Sequence, residues 1–137
     1  METQDTFLNQ RLIIRQPRNG YRAATDPVFM AASVPARAGQ SILDIGCGVG
    51  VASLCLGARI SGLSLTGIEL QMEYTKLAKV NAANNNLYFE VINSDLANLP
   101  DALKQKSFDH IMTNPPFFIP ETLSKPLDSG KLLANVE

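Results

Sequence analysis

The residues best suited to chemistry form one run near the end of the sequence, Asn114-Pro115-Pro116-Phe117-Phe118, which directly follows an apolar stretch. The Asn114 side-chain oxygen and the Pro115 carbonyl are two acceptors that can take hydrogen bonds from both N–H groups of a planar amine. Proline fixes φ at about −65° and restricts the residue before it, so both acceptors are aimed before a substrate arrives. Phe117 or Phe118 can stack on the flat group. The run predicts a site that orients a planar amine for alkylation; the alternative interpretation is a rigid loop that closes a strand.

A glycine-rich stretch, "LDIGCGVG" at residues 43–50, predicts a second site. Gly46, Gly48 and Gly50 follow an apolar run, where glycines let the backbone approach a ligand closely. The dinucleotide fingerprint requires a further glycine at the position that Val51 occupies. A nucleoside with a charged amino-acid tail suits this turn better, because the Asp44 carboxylate can attract an ammonium or sulfonium group. A tight packing turn between a strand and a helix is the structural alternative.

Two carboxylates follow the next two apolar runs. Glu69 ends "GIEL", 19 positions after Gly50, where a carboxylate can accept hydrogen bonds from both ribose hydroxyls. Asp95, in "NSDL", can accept from the exocyclic amine of an adenine. Each could also be only a helix cap or a solvated strand end. The glycine turn, Glu69 and Asp95 follow three successive predicted strands, and this arrangement favours one shared crevice.

The elements that must position these residues alternate from residue 41 onward between short apolar runs and longer helical stretches. This alternation predicts an α/β fold with a Rossmann-like, doubly wound and mostly parallel sheet. We expect strands at 41–46, 63–70, 87–95 and 107–113, helices over about 49–60 and 71–85, and a short helix that Asn98 caps, with Pro100 in its first turn. The cluster Asn84, Asn85 and Asn86 should end the second helix.

We expect two parts of the chain. Residues 1–40 would form a flanking segment with a helix that begins at Asp26 and Pro27. Residues 41–137 would form the cofactor-binding and NPPF-containing part of one domain, with a further helix beginning after residue 126. Four strands are few for an open doubly wound sheet, so we expect a sheet cut short after the fourth strand.

Composition excludes several classes. The 137 residues carry 12 Lys+Arg and 13 Asp+Glu, which is unlike a polycationic nucleic-acid coat or an acidic tail. The first forty residues are mildly basic, which suits either a solvated surface or contact with a phosphate backbone. Cys47, Cys55 and the single His110 have no metal-site spacing, so no metal is expected, and His110 is interpreted as a strand residue rather than a catalyst. No basic-then-apolar leader or membrane-length run is present, and we expect a soluble, cytoplasmic protein.

The stretches "LDIGCGVG", "GIEL" and "NSDL" resemble the cofactor half of class I S-adenosylmethionine-dependent methyltransferases, over roughly residues 41–96. The resemblance implies S-adenosyl-L-methionine as cofactor. It assigns Glu69 to the ribose and Asp95 to the adenine edge. It also adds the leucines that follow them, Leu70 and Leu96, to the cofactor site.

"NPPF" resembles motif IV of methyltransferases that modify planar amino nitrogens in bases or in glutamine side chains, and residues 11–35 resemble the opening of bacterial tRNA (adenine-N6)-methyltransferases of the small-domain type. This resemblance implies that Asp26 lies near the methionine end of the cofactor, that Asn114 serves both cofactor and substrate, and that tRNA is the partner. Phe117 stands where many relatives have tyrosine, and the strands that complete the family's sheet are missing. Protein glutamine methylation, rRNA guanine-N2 methylation and a catalytically incomplete cofactor-binding fragment stay open, as does the oligomeric state.

Overall fold

The computed structural model describes residues 2–7, 12–17 and 30–113. A two-stranded antiparallel hairpin precedes a four-stranded parallel sheet. Residues 30–33 are helical. The elements are β1 (Glu2–Phe7), β2 (Leu12–Pro17), β3 (Ser41–Ile45), α1 (Val51–Arg59), β4 (Ser64–Glu69), α2 (Met72–Asn84), β5 (Glu90–Asn93), a 3₁₀ turn (Leu96–Asn98), α3 (Asp101–Lys104) and β6 (His110–Thr113).

The parallel sheet has the strand order β5-β4-β3-β6. The chain moves outward from β3 through β4 to β5, then returns to pair β6 with the free side of β3. The order therefore reverses between β3 and β6, and in open α/β sheets the ligand crevice lies beyond the strand ends at such a reversal. The predicted Rossmann-like α/β fold is confirmed.

The core lies on both faces of this sheet. Successive side chains in a strand alternate in direction, so Ile42 packs into a cluster with α1, α2 and β2, whereas Leu43 and Ile45 pack against Leu99 and Leu103 on the other face. Asp44 shares the face of Ile42 and lies under α1. This alternation buries the Asp44 carboxylate on the same face as the apolar Ile42.

The N-terminal hairpin was not expected, because the sequence pattern predicts a helix but no strand before residue 41. Leu12, Ile14 and Gln16 are buried, while Ile13 and Arg15 point to solvent. This period of two is the signature of a half-buried strand. The predicted helix start at Asp26 and Pro27 lies outside the described residues, as does everything after Thr113.

Two asparagines of α2 and its C-terminal cap seat β2. Asn85 accepts from Ile13 N at 2.9 Å and donates to Ile13 O at 2.7 Å. Asn81 accepts from Arg15 N at 2.8 Å and donates to Arg15 O at 3.0 Å. Backbone groups of alternate residues in a strand point to the same side, so the two amides satisfy the side of β2 that faces away from β1.

The helix boundaries confirm one prediction and correct another. Helix α2 ends at Asn84, and Asn86 follows with φ of 56°, a conformation that asparagine tolerates better than most residues. Asn98 does not cap a helix, so that prediction was wrong. Asp95 caps one turn earlier by accepting from Ala97 N, which places Asn98 inside the 3₁₀ turn, and Pro100 is the residue before α3 rather than within its first turn.

Candidate cofactor site

The glycine turn follows β3 at the reversal point of the sheet. Gly46, Gly48 and Gly50 have φ of 68°, 58° and 96°, a backbone conformation that residues with a side chain adopt only with strain. A Cβ atom at Gly46 or Gly48 would meet nothing within 4 Å, so the turn is open on that side. A Cβ at Gly50 would approach the Phe89 ring to 3.3 Å. The first two glycines therefore form an open cradle, and the third allows close packing.

Backbone contacts fix the shape of this turn. Ile68 O accepts from Gly46 N at 2.8 Å and from Cys47 N at 3.0 Å. Gly50 N donates to Cys47 O at 3.0 Å. The turn is therefore tied to the end of β4 and to itself without any ligand.

Glu69 lies at the end of β4 and is only 7% exposed. One carboxylate oxygen accepts from Gly48 N at 2.8 Å and the other from Gln71 N at 2.9 Å. A carboxylate offers roughly four acceptor positions, so about two stay available for ribose hydroxyls. Glu69 thus reaches the cradle that the glycines form.

Asp44 is buried beneath the turn and accepts from the Ser53 hydroxyl at 2.7 Å. Burial raises the pKa of the Asp44 carboxyl to about 7, and the nearby Glu69 charge adds to this while the Ser53 hydrogen bond opposes it. The carboxyl is therefore divided between its neutral and charged forms near neutral pH. A positively charged ligand group above the turn would favour the charged form.

The end of β5 is built differently. Asp95 is exposed, and its carboxylate accepts from Ala97 N at 3.0 Å. Leu96 is partly exposed, and Leu70, after β4, is 66% exposed. Asn93 donates to the carbonyls of Glu69 and Leu70 at 3.0 and 2.9 Å, which ties the end of β5 to the Leu70 segment.

The remaining residues considered as possible ligands or catalysts are His110, Cys47 and Cys55. His110 begins β6, pairs with Ile42 and contacts the Gln40 amide oxygen at 3.0 Å, at the edge opposite the glycine turn. Its interpretation as a strand residue is confirmed. Burial, followed by the charges of Asp44 and Glu69, raises the pKa of Cys47 well above its ordinary value, and burial raises that of Cys55 to about 11. Both thiols are protonated and poorly reactive near neutral pH.

Within residues 2–7, 12–17 and 30–113, no group of three or more His, Cys, Asp or Glu side chains is arranged to hold a metal ion. No helix in the same part of the chain is long and apolar enough to cross a membrane.

Strand β6 ends beside the glycine turn. Thr113 pairs with Ile45, the residue just before Gly46, and its hydroxyl donates to Ile45 O at 3.1 Å. The predicted substrate residues Asn114, Pro115 and Phe117, with Phe118, come directly after Thr113 in the sequence but lie outside the described residues, as does Asp26.

Sequence reasoning missed two side chains that organise the site, Asn81 and Asn93. Asn93 is the first residue of the "NSDL" stretch, but no role was predicted for it. Asn81 is fully buried and also donates to Val49 O at 2.9 Å, inside the glycine turn. The available signal was its spacing of four from Asn85, which puts both amides on one side of α2.

Three features together define a class I methyltransferase fold. They are the parallel sheet whose strand order reverses at β3, the open glycine cradle after β3, and the Glu69 carboxylate at the end of β4. The model of the methyltransferase small domain family matches residues 25–127, and the chain belongs to this family.

Curated relatives carry a narrower name. The chain is 31% identical over 132 residues to the tRNA1(Val) (adenine(37)-N6)-methyltransferase of Trichodesmium erythraeum, which covers 93% of this chain and 54% of that protein. It is 34% identical over 103 residues to the enzyme of the same name from Shewanella halifaxensis, covering 74% of this chain and 42% of that protein. The chain spans about half the length of the curated relatives it matches.

Solved structures agree on the fold. The tRNA (uracil-54, C5)-methyltransferase of Pyrococcus abyssi in complex with S-adenosyl-L-homocysteine aligns with a TM-score of 0.65 and 21% identity, over 84% of this chain and 28% of that one. The plantazolicin methyltransferase in complex with S-adenosyl-L-homocysteine aligns with a TM-score of 0.51 and 26% identity, over 66% of this chain and 34% of that one. S-adenosyl-L-methionine is the cofactor of the methyltransferase family to which the chain belongs, and the open cradle and the Glu69 carboxylate leave space and acceptor positions for such a ligand.

Proposed function

We propose that this chain carries the catalytic site of an S-adenosylmethionine-dependent methyltransferase that acts on adenine-N6 in tRNA. The observation that carries the proposal is the end of β6 beside Ile45 at the reversal point of the sheet, next to the glycine turn. The Asn-Pro-Pro-Phe sequence continues from that end. A cofactor over the turn and an amine beside β6 would then share one crevice.

We assign cofactor binding to residues at the ends of β3, β4 and β5, which line this crevice. We assign the ribose hydroxyls to Glu69, whose carboxylate has acceptor positions left over after Gly48 N and Gln71 N. We assign the charged methionine end to Asp44 and Asp26, and the adenine edge to Asp95. Leu70, which is exposed, and Leu96 would pack against the adenine ring.

The reaction needs positioning more than acid–base chemistry. The bound cofactor supplies a methyl group whose bond to sulfur breaks as a bond to the amine nitrogen forms. The Asn114 side-chain oxygen and the Pro115 carbonyl would accept hydrogen bonds from the two N–H groups of the amine and so turn its lone pair toward the methyl carbon. Phe117 would stack on the base. The nitrogen loses its extra proton after alkylation, so no strong base is required.

The choice of substrate rests on the relatives that carry the tRNA adenine-N6 name. An adenine inside a tRNA stem or loop must leave its stack to reach a pocket of this kind. The basic N-terminal residues would contact the phosphate backbone. We place this activity in the cytoplasm, where the chain would meet tRNA.

The test is to incubate the protein with S-adenosylmethionine labelled with tritium in its methyl group and a bacterial tRNA pool, then to digest the RNA and separate its nucleosides. We expect label in N6-methyladenosine. Asn114→Ala should lower that incorporation by at least about a hundredfold. Asn98→Ala, at an exposed asparagine in the 3₁₀ turn, should keep full activity and serves as the matched control.

Other outcomes identify the open alternatives. In parallel incubations with rRNA or with a release factor, label in N2-methylguanosine or in a glutamine side chain, with none in tRNA, would replace the proposed substrate. Calorimetric binding of S-adenosylhomocysteine without turnover on any RNA or protein would make the chain a cofactor-binding fragment. Equal incorporation by the unaltered protein and Asn114→Ala would remove Asn114 from the mechanism.

A further inference from the structure

The Asn81 side chain connects two parts of the molecule that are far apart in sequence. It lies 66 positions from Arg15 in the hairpin and 32 from Val49 in the glycine turn, and it is hydrogen-bonded to both. It is also fully buried. Breaking the hydrogen bonds of a buried amide leaves unsatisfied donors and acceptors, which costs free energy. The partners of Asn81 are therefore held in fixed relative positions.

The contact with Val49 fixes a peptide unit of the cofactor turn at both ends. Asn81 donates to Val49 O at 2.9 Å, and the N–H of the same peptide, Gly50 N, donates to Cys47 O at 3.0 Å. Other described hydrogen bonds of the turn come from β4, through the Ile68 carbonyl and the Glu69 carboxylate, and from α1, where Leu54 N donates to Gly50 O at 2.9 Å. From α2, the Asn81 side chain provides a hydrogen bond to the turn.

The direction of β2 makes this link relevant to the site. Helix α2 leaves the carboxyl end of β4 and runs back toward the opposite edge of the sheet, so Asn81 lies nearer the cofactor edge than Asn85. Asn85 contacts Ile13 and Asn81 contacts Arg15. Strand β2 therefore runs toward the cofactor edge and reaches the level of Val49 at Arg15.

We infer that Asn81 is a positioning residue through which the N-terminal hairpin holds the glycine turn in its cofactor-binding shape. The inference rests on the proposed cofactor role of that turn. A hairpin that is seated correctly fixes the Asn81 amide, and the amide then fixes the Val49 peptide. A hairpin that is poorly seated would leave the amide free to move and the turn less well formed for the cofactor.

Asn85 provides a matched comparison, because it clamps the same strand with the same chemistry but has no described contact with the turn. The test measures S-adenosylhomocysteine binding by calorimetry for the unaltered protein, Asn81→Ala and Asn85→Ala, below the thermal transition of each variant. Asn81→Ala should raise the Kd by about five- to tenfold, the effect of one well-placed hydrogen bond. Asn85→Ala should raise it by less than about twofold, although both variants lose stability.

Hydrogen exchange gives a second measurement that a loss of stability alone would not reproduce. The amide of Gly50 should exchange faster in Asn81→Ala than in Asn85→Ala under conditions where the two variants have equal free energies of unfolding. If Asn81→Ala does not fold, Asn81→Ser, which keeps one hydroxyl donor, undergoes the same comparison.

A double-mutant cycle tests the link itself. Ile14→Ala removes a fully buried side chain from the hairpin and should weaken cofactor binding in the unaltered protein but add nothing in the Asn81→Ala background. Equal Kd values for the Asn81 and Asn85 variants, or additive effects in the cycle, would overturn the inference. Binding of S-adenosylhomocysteine needs no RNA, so failure of the tRNA assay with this Kd pattern intact would reject the proposed substrate alone.

Discussion

The two sides of the cofactor crevice are held by different kinds of contact. At the ends of β3 and β4, Glu69 bonds to the backbone of Gly48, 21 positions away, and Asp44 is buried against Ser53. At the end of β5, the exposed Asp95 bonds only two positions ahead, to Ala97. The carboxylates of the first side are positioned by tertiary contacts before a cofactor arrives, whereas the Asp95 carboxylate is positioned by a local turn. A change on the first side should therefore disturb folding and binding together, whereas a change on the second should affect mainly binding.

The largest effect is expected for Glu69→Ala. It leaves Gly48 N and Gln71 N without their acceptor and removes the proposed ribose ligand. We expect cofactor affinity to fall by about a hundredfold, which is about 3 kcal/mol, with a lower melting temperature even without cofactor. Calorimetry and thermal unfolding measure the two. Glu73→Ala, at an exposed position in the first turn of α2, should change neither property by much. A variant with normal stability and weak binding would mean that Glu69 serves only the cofactor.

The next effect concerns Asp44 and pH. Its pKa is raised from 3.8 to about 7 in the folded chain, so the folded state binds one more proton than the unfolded state between these values. The free energy of unfolding should therefore fall as pH rises from about 4 to about 7, and this loss should then level off. Asp44→Asn should remove that slope and stabilise the cofactor-free chain at pH 8.

Urea unfolding at several pH values gives the measurement. Ser53→Ala removes the hydrogen bond that opposes the rise in pKa, so the upper end of the slope should move to higher pH. Parallel pH curves for the unaltered protein and Asp44→Asn would contradict the assignment of this slope to Asp44.

The smallest effect is expected on the other side of the crevice. Asp95→Ala removes the cap of a three-residue turn and the proposed adenine contact. We expect cofactor affinity to fall by about fivefold and the free energy of unfolding by no more than about 1 kcal/mol. Asp101→Ala, which also removes an exposed carboxylate from the start of a short helix, is the control for stability alone. A loss of stability as large as that of Glu69→Ala would erase the difference between the two sides.

The sequence predicted what local pattern determines. The four parallel strands appear where apolar runs alternate with helical stretches, although each observed strand is shorter than its prediction, as for Glu90–Asn93 within 87–95. The idea that Asp95 might be only a helix cap or a solvated strand end describes its position in the cofactor-free chain. The same idea fails for Glu69, which is buried.

Contacts between distant parts of the sequence could not be predicted in the same way. Nothing near Glu69 in the sequence shows that its carboxylate reaches Gly48, because that contact depends on the pairing of β3 with β4. The seating of the hairpin on Asn81 and Asn85 likewise depends on how β2 lies along α2. Helical periodicity was a poor guide to the buried side of α2, because Met72 and Val80 are exposed whereas Thr75 and Asn81 are buried.

The asparagines beside β2 have a consequence for how this chain behaves among its own copies. An unpaired strand edge is a template on which another chain can extend a sheet. The amides of Asn81 and Asn85 occupy the backbone groups of Arg15 and Ile13 on the edge that β1 leaves open. Two polar side chains on a helix thus close one edge of the hairpin against intermolecular β-pairing, and losing both at once should make the protein aggregate before it loses its parallel sheet.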